Sequence, residues 1–127
     1  MTDENKNQHL VVITAVDQGN NNVDPDRNFK LRLQCVLTAD DKIADGYWYG
    51  VIKEADENGA VREWPFVLSG NIFDYGTASD VQPEETNIRN IPIRPNEYFS
   101  RMLGGDELTH RIEQVVILGQ IDYRPLR

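Results

Sequence analysis

The feature that most constrains the fold of this chain is the stretch Gly46–Tyr75, GYWYGVIKEADENGAVREWPFVLSGNIFDY. It carries both tryptophans, three of the five tyrosines and two of the four phenylalanines. Two apolar runs, Tyr47–Ile52 and Trp64–Leu68, flank Asp56-Glu57-Asn58-Gly59. Asn-Gly between alternating apolar segments is a strong hairpin signal, because a type I′ turn needs positive φ at both central residues. Pairing across Asn58-Gly59 groups Tyr47, Tyr49 and Val51 with Trp64, Phe66 and Leu68, and this face is the expected core. The opposite face then holds Trp48, Gly50, Ile52, Glu54, Val61, Glu63 and Val67. Widening the loop to four residues moves the pairing by two and keeps the same faces, since side chains alternate with period two. Either register sets like charges opposite each other, Glu54 with Glu63 or Lys53 with Arg62, so this end belongs near water. Pro65 in the second run points to an edge or a bulge.

The rest of the chain is punctuated in the same manner. His9–Val16 is rich in β-branched residues and nearly continuous in apolar character, which suits a central strand. Asp17–Asn28 reads as a loop. Over Phe29–Thr38 the alternation is clean: Phe29, Leu31, Leu33, Cys35 and Leu37 face one way, Lys30, Arg32 and Gln34 the other. Thr38-Ala39-Asp40-Asp41 resembles a helix cap, predicting one or two helical turns over 39–45 with Gly46 as the stop. Ile72, Phe73 and Tyr75 add a short strand before the loop Gly76–Thr86. Asn87–Arg94 reads as another short strand, demoted to an edge or bulge by Pro92. Gly104-Gly105 predicts a second hairpin in which Phe99 faces His110 and Tyr98 faces Arg111. A short helix over 96–103, capped by Asn96 and stopped by Gly104, is the alternative. Val115–Leu118 is apolar enough to be buried on both faces, and Gln120–Tyr123 could supply a last edge. About seven strands separated by Gly, Pro and Asn turns predict an all-β chain, or an α+β one with one short helix. The expected architecture is an antiparallel β-barrel or a compact sandwich. Residues 1–8 read as a flexible polar terminus ahead of a single domain spanning 9–127.

Charge and composition bear on function. The chain has 127 residues and a formal charge of −8. Residues 1–88 hold 16 acidic against 7 basic side chains, whereas residues 89–127 hold 5 against 6, all arginine. An acidic surface disfavours nucleic acid and anionic membrane as partners. A single cysteine, Cys35, allows no intrachain disulfide. The polar, acidic start MTDENKNQHL is unlike a targeting peptide. No apolar run reaches the length of a membrane span. A cytoplasmic protein is expected.

Motifs for chemistry are thin. There is no G-x-S-x-G, and Gly104-Gly105-Asp106 lacks the lysine of a phosphate loop. Asn20, Asn22, Asp24 and Asp26 alternate in a polar loop, but an EF-hand counted from Asp17 would need Gly and Glu where Asn22 and Asn28 stand. No Cys/His set for zinc is present, so neither metal nor cofactor is expected. The neighbouring carboxylates Asp40/Asp41, Asp56/Glu57, Glu84/Glu85 and Asp106/Glu107 fall in turns or helix starts, where acids are ordinary. The candidate binding residues are therefore Trp48, Phe73, Tyr75, Tyr98 and His110. With an acidic surface they suggest a non-catalytic protein-binding module, an inhibitor or neutraliser of a basic partner. The alternatives are a small barrel holding a small molecule, or doing acid–base chemistry with His110 and Tyr98, and a self-associating subunit joined at the edges near Pro65 and Pro92.

Overall fold

A computed structural model of the chain describes residues 7–19, 24–77 and 80–125. Eight strands form one antiparallel sheet: β1 (His9–Gly19), β2 (Lys30–Leu37), β3 (Trp48–Ala55), β4 (Val61–Ser69), β5 (Ile72–Asp74), β6 (Glu84–Glu85), β7 (Tyr98–Leu103) and β8 (Asp106–Gln120). Their order in the sheet is β6-β5-β4-β3-β2-β1-β8-β7. Read as a ring, that is simply chain order, so the protein is an up-and-down meander rolled towards closure. The seam lies between β6 and β7 and, among the described residues, has a single bridge, Thr86–Arg101. Beside it the Thr86 hydroxyl donates to the Ser100 carbonyl at 2.8 Å, and the Ser100 amide donates to Asn87 Oδ1 at 2.7 Å. The all-β expectation holds. No α-helix occurs among the described residues, and none of their helices is long and apolar enough to cross a membrane.

The interior follows from alternation. On β1, Val11, Ile13 and Ala15 are buried; on β2, Leu31, Leu33, Cys35 and Leu37 follow Phe29 inward. Each such side chain, fully removed from water, contributes roughly 1.5 to 3 kcal/mol. The second hairpin forms as expected: Phe99 pairs with His110 and Tyr98 with Arg111 across Gly104-Gly105, both at positive φ. β1 is central, between β2 and β8.

The long hairpin forms too, but with its first strand turned over. Trp48, Gly50, Ile52 and Glu54 pair with Leu68, Phe66, Trp64 and Arg62, and the inner face carries Ile52, Phe66 and Leu68. Tyr47 and Tyr49, expected in the core, are 69% and 71% exposed. The cause is the loop. The Asp56 amide donates to the Ala60 carbonyl at 2.9 Å, closing three residues with Gly59 at φ +81°. A three-residue loop with a left-handed glycine is a standard hairpin connection, and an odd loop shifts the register by one residue, reversing a strand's faces. Asp56 holds it in place, its Oδ1 accepting from the amides of Asn58 and Ala60 at 2.9 Å each. The same shift resolves the charges: Lys53 now opposes Glu63, 3.4 Å away, and Glu54 opposes Arg62.

Three further expectations are corrected. Thr38–Gly46 is a turn rather than a helix: the Thr38 amide donates to the Lys42 carbonyl at 2.8 Å, and Ile43 bridges back to Leu37. Asp41 at φ +60° cannot continue a right-handed helix. Asn87–Arg94 is not a strand either, but a 3₁₀ turn, Ile88–Asn90, that plugs one end of the barrel. Ile88 and Ile93 insert into the core. Arg89 spans three carbonyls, those of Gly70 and Gly46 at 2.6 Å and Ala44 at 2.9 Å. Gln8 is buried, and its side-chain oxygen accepts from the Tyr123 amide at 2.8 Å, tying the C-terminal tail across the same end. That tail, over residues 121–125, forms no strand. The polar terminus through residue 6 lies outside the described residues, as do Asn20 and Asn22 of the acidic loop.

Candidate functional site

The opposite end of the barrel is built differently. Here the inward-facing positions of six elements are polar, and each is placed by its strand's alternation. Asp17 comes from the end of β1 and Glu54 from the end of β3. Glu84 is on β6, Arg101 follows inward-facing Phe99 on β7, and His110 lies on β8; Tyr75 comes just after β5. Glu84, Arg101 and His110 are all buried.

They form one chain of contacts. Arg101 Nη1 donates to both carboxylate oxygens of Glu84, at 3.0 and 2.9 Å. Arg101 Nε donates to His110 Nε2 at 2.9 Å. The Tyr75 hydroxyl donates to Glu84 Oε1. The guanidinium carbon sits 5.2 Å from the centre of the Phe29 ring, and that ring stacks on His110 with centroids 4.8 Å apart. Taking two ions out of water costs several kcal/mol each unless their hydrogen-bonding capacity is used. Here the carboxylate receives three hydrogen bonds, and the guanidinium gains two acceptors and an aromatic face.

Burial and the nearby Arg101 charge hold His110 down at about 4, with Asp17 and the Val16 backbone pulling weakly the other way. The imidazole is therefore neutral at pH 7. Since Nε2 accepts from Arg101, Nδ1 carries the proton. Nδ1 makes no hydrogen bond of good geometry among the described residues; the Val16 backbone lies close to it, and Asp17 Oδ1 stands 4.0 Å away. Asp17 is occupied with the backbone, accepting from Gly19 at 3.0 Å and Asp26 at 2.8 Å. Burial and the Glu84 hydrogen bond push the Tyr75 phenol well above its ordinary value.

Against this network lies a cavity of about 170 Å³, walled by Ile52, Glu54, Trp64, Tyr75, Val81, Glu84 and Arg101. That volume equals five or six waters at roughly 30 Å³ each. Glu54 differs from the other wall charges, having no hydrogen bond or ion pair among the described residues. Burial first, then the acidic neighbours Asp26, Glu84 and Asp17, raise its carboxyl against the opposing pull of Arg101. A larger depression, about 580 Å³, runs outside the seam past Asn71, Ile72, Glu85 and Met102. It contains none of the buried charges, so the mouth is the better-built site.

Of the residues singled out in the sequence, Tyr75 and His110 meet in the network, both through Arg101–Glu84. Phe73 is fully buried against Phe66, with centroids 4.6 Å apart, and has no surface to offer. Tyr98 is 53% exposed on the outside of β7. Trp48, expected on the face opposite the core, points inward at the other end of β3. Its Nε1 donates to the Ala44 carbonyl at 2.8 Å, and its ring packs 4.9 Å from Tyr123. Cys35 is buried, which pushes its thiol up to about 12 and leaves no thiolate at neutral pH. Sequence reasoning missed Glu54, Trp64, Glu84 and Arg101. The signal for Arg101 was present: with Phe99 facing His110 inside, parity sends Arg101 inside as well.

Fold and site together define an eight-stranded meander barrel with one plugged end and one charged, partly hollow mouth. Compared with protein families, curated proteins and solved structures, the chain matches none of them.

Proposed function

We propose that this protein is a small-molecule-binding β-barrel whose ligand sits in the mouth beside the Glu84–Arg101 pair. The observation that carries the reading is Glu54, a partly buried carboxylate without a protein partner at the wall of a cavity. Eight-stranded barrels either fill their interior with side chains or hold one small ligand. Pockets of the second kind combine apolar walls with a few convergent polar groups. Ile52, Trp64 and Val81 supply the walls; Glu54, Tyr75, Glu84 and Arg101 supply the polar groups. A fragment screen of mixed charge, followed by amide chemical shifts, tests the reading. Shifts confined to the mouth and suppressed by the cavity-filling variant Val81→Phe support it; hits that ignore Val81→Phe refute it.

A second reading, docking of a protein partner, draws on the outer face. Val67, Tyr49, Gln34, Val12 and Val116 form one continuous cross-strand row. Tyr49 in this row and Tyr47 beside it on the chain are exposed. Tyrosines on a sheet face are favoured anchors for protein contacts. A partner captured by the wild type and lost with Tyr49→Ser would support this reading; capture unaffected by that change would remove it.

A further inference from the structure

Resting on the mouth as a ligand pocket, we propose that its occupant is a small organic cation, an alkylammonium of choline's size. The wall charges argue for it. Glu54 and Glu84 oppose Arg101 alone, so the lining carries one negative charge in excess. Asp17 and Asp26 act on Glu54 with the same sign. A monocation cancels that excess, whereas an anion would add to it.

The existing bonds point the same way. Glu84 and the Nε and Nη1 groups of Arg101 are engaged with each other, with Tyr75 and with His110. Glu54 has no hydrogen bond or ion pair among the described residues, and a carboxylate is a partner for a cation. The walls also include an indole and a phenol, Trp64 and Tyr75. Aromatic faces attract ammonium groups through the ring quadrupole, and desolvation strengthens the attraction. The cavity's 170 Å³ fits a group of a few heavy atoms. No covalent step is implied: the site binds.

The test is a titration of the full chain with three probes, followed by amide and indole chemical shifts. They are choline, its uncharged isostere dimethylbutanol, in which carbon replaces nitrogen, and acetate. Choline should shift the Trp64 indole and the Glu54 and Tyr75 amides, and bind about tenfold more tightly than the isostere. Glu54→Gln, which keeps the side chain's shape, should weaken choline by about tenfold and leave the isostere unchanged. Glu54→Asp should retain part of the preference. If dimethylbutanol or acetate binds in the mouth as well as choline, the cation assignment falls while the pocket stands. If none of the three shifts a mouth resonance, both fall.

Discussion

Replacing His110 by glutamine isolates one titration in the interior. Glutamine keeps an acceptor for Arg101 Nε but cannot take up a proton. His110 has an ordinary value of 6.5, and burial beside Arg101 lowers it to about 4 in the folded chain. Between those two values the unfolded chain binds a proton that the folded chain refuses. Stability therefore falls as the pH drops from about 6.5, and the loss levels off below about 4. At 1.36 kcal/mol per pH unit the gap corresponds to about 3 kcal/mol, a large part of a typical domain's margin. Urea unfolding followed by tryptophan fluorescence at pH 7, 5.5 and 4 measures it. Carboxylates titrate in both proteins and cancel, including Glu54, whose raised value acts in the opposite sense. The wild type should lose about 3 kcal/mol more than His110→Gln between pH 7 and pH 4. Equal losses would refute the placement of a neutral, buried imidazole against Arg101, whatever constant offset the substitution adds at pH 7.

Two substitutions test the packing. Gly50→Ala would place a methyl 2.5 Å from the Arg32 carbonyl and closer still to the Phe66 ring, which lies over the glycine. It should cost about 2 to 3 kcal/mol in a denaturant midpoint assay, and a neutral result would contradict the Gly50–Phe66 register. Arg101→Leu leaves Glu84 buried without its cation and should cost about 3 to 5 kcal/mol, whereas adding Glu84→Leu should recover most of the loss. A double variant as unstable as the single one would show that the pair is not the source.

Much of the fold was legible because strand parity is a local property. Phe29–Leu37 alternates without interruption, and its inward residues are the ones the alternation selects. Gly104-Gly105 allows one tight turn, so Phe99 and His110 had to face each other. The Asn58-Gly59 hairpin failed on one count, the assumption that its loop is even. Asp56 decides that question by capping two amides beyond itself, a bond that competes with the two-residue turn favoured by Asn-Gly. The charges carried a warning: both even registers set like charges together, and only the odd one sets Lys53 opposite Glu63 and Glu54 opposite Arg62 along the backbone. A repulsion repeated in every register considered was a reason to doubt the register.

The site was less legible because it is assembled where the sheet closes, and closure is not local. Glu84 and Glu85 read as two acids of a loop, since nothing in Gly76–Thr86 shows that Glu84 turns into a barrel. That orientation comes from β5 pairing on one side and the Thr86–Arg101 bridge on the other. The bridge uses the backbone of Arg101, while its side chain reaches Glu84, two residues before Thr86. One residue thus joins the seam outside and the charged network inside. A wider seam would draw Arg101 away from Glu84 and leave both charges in the interior unpaired, while His110, on β8 beside β7, would move with Arg101. The ion pair therefore opposes opening at the place where the ladder is thinnest. Glu54, on the uninterrupted β3, has no part in closure, which is why its carboxylate is left to face the cavity.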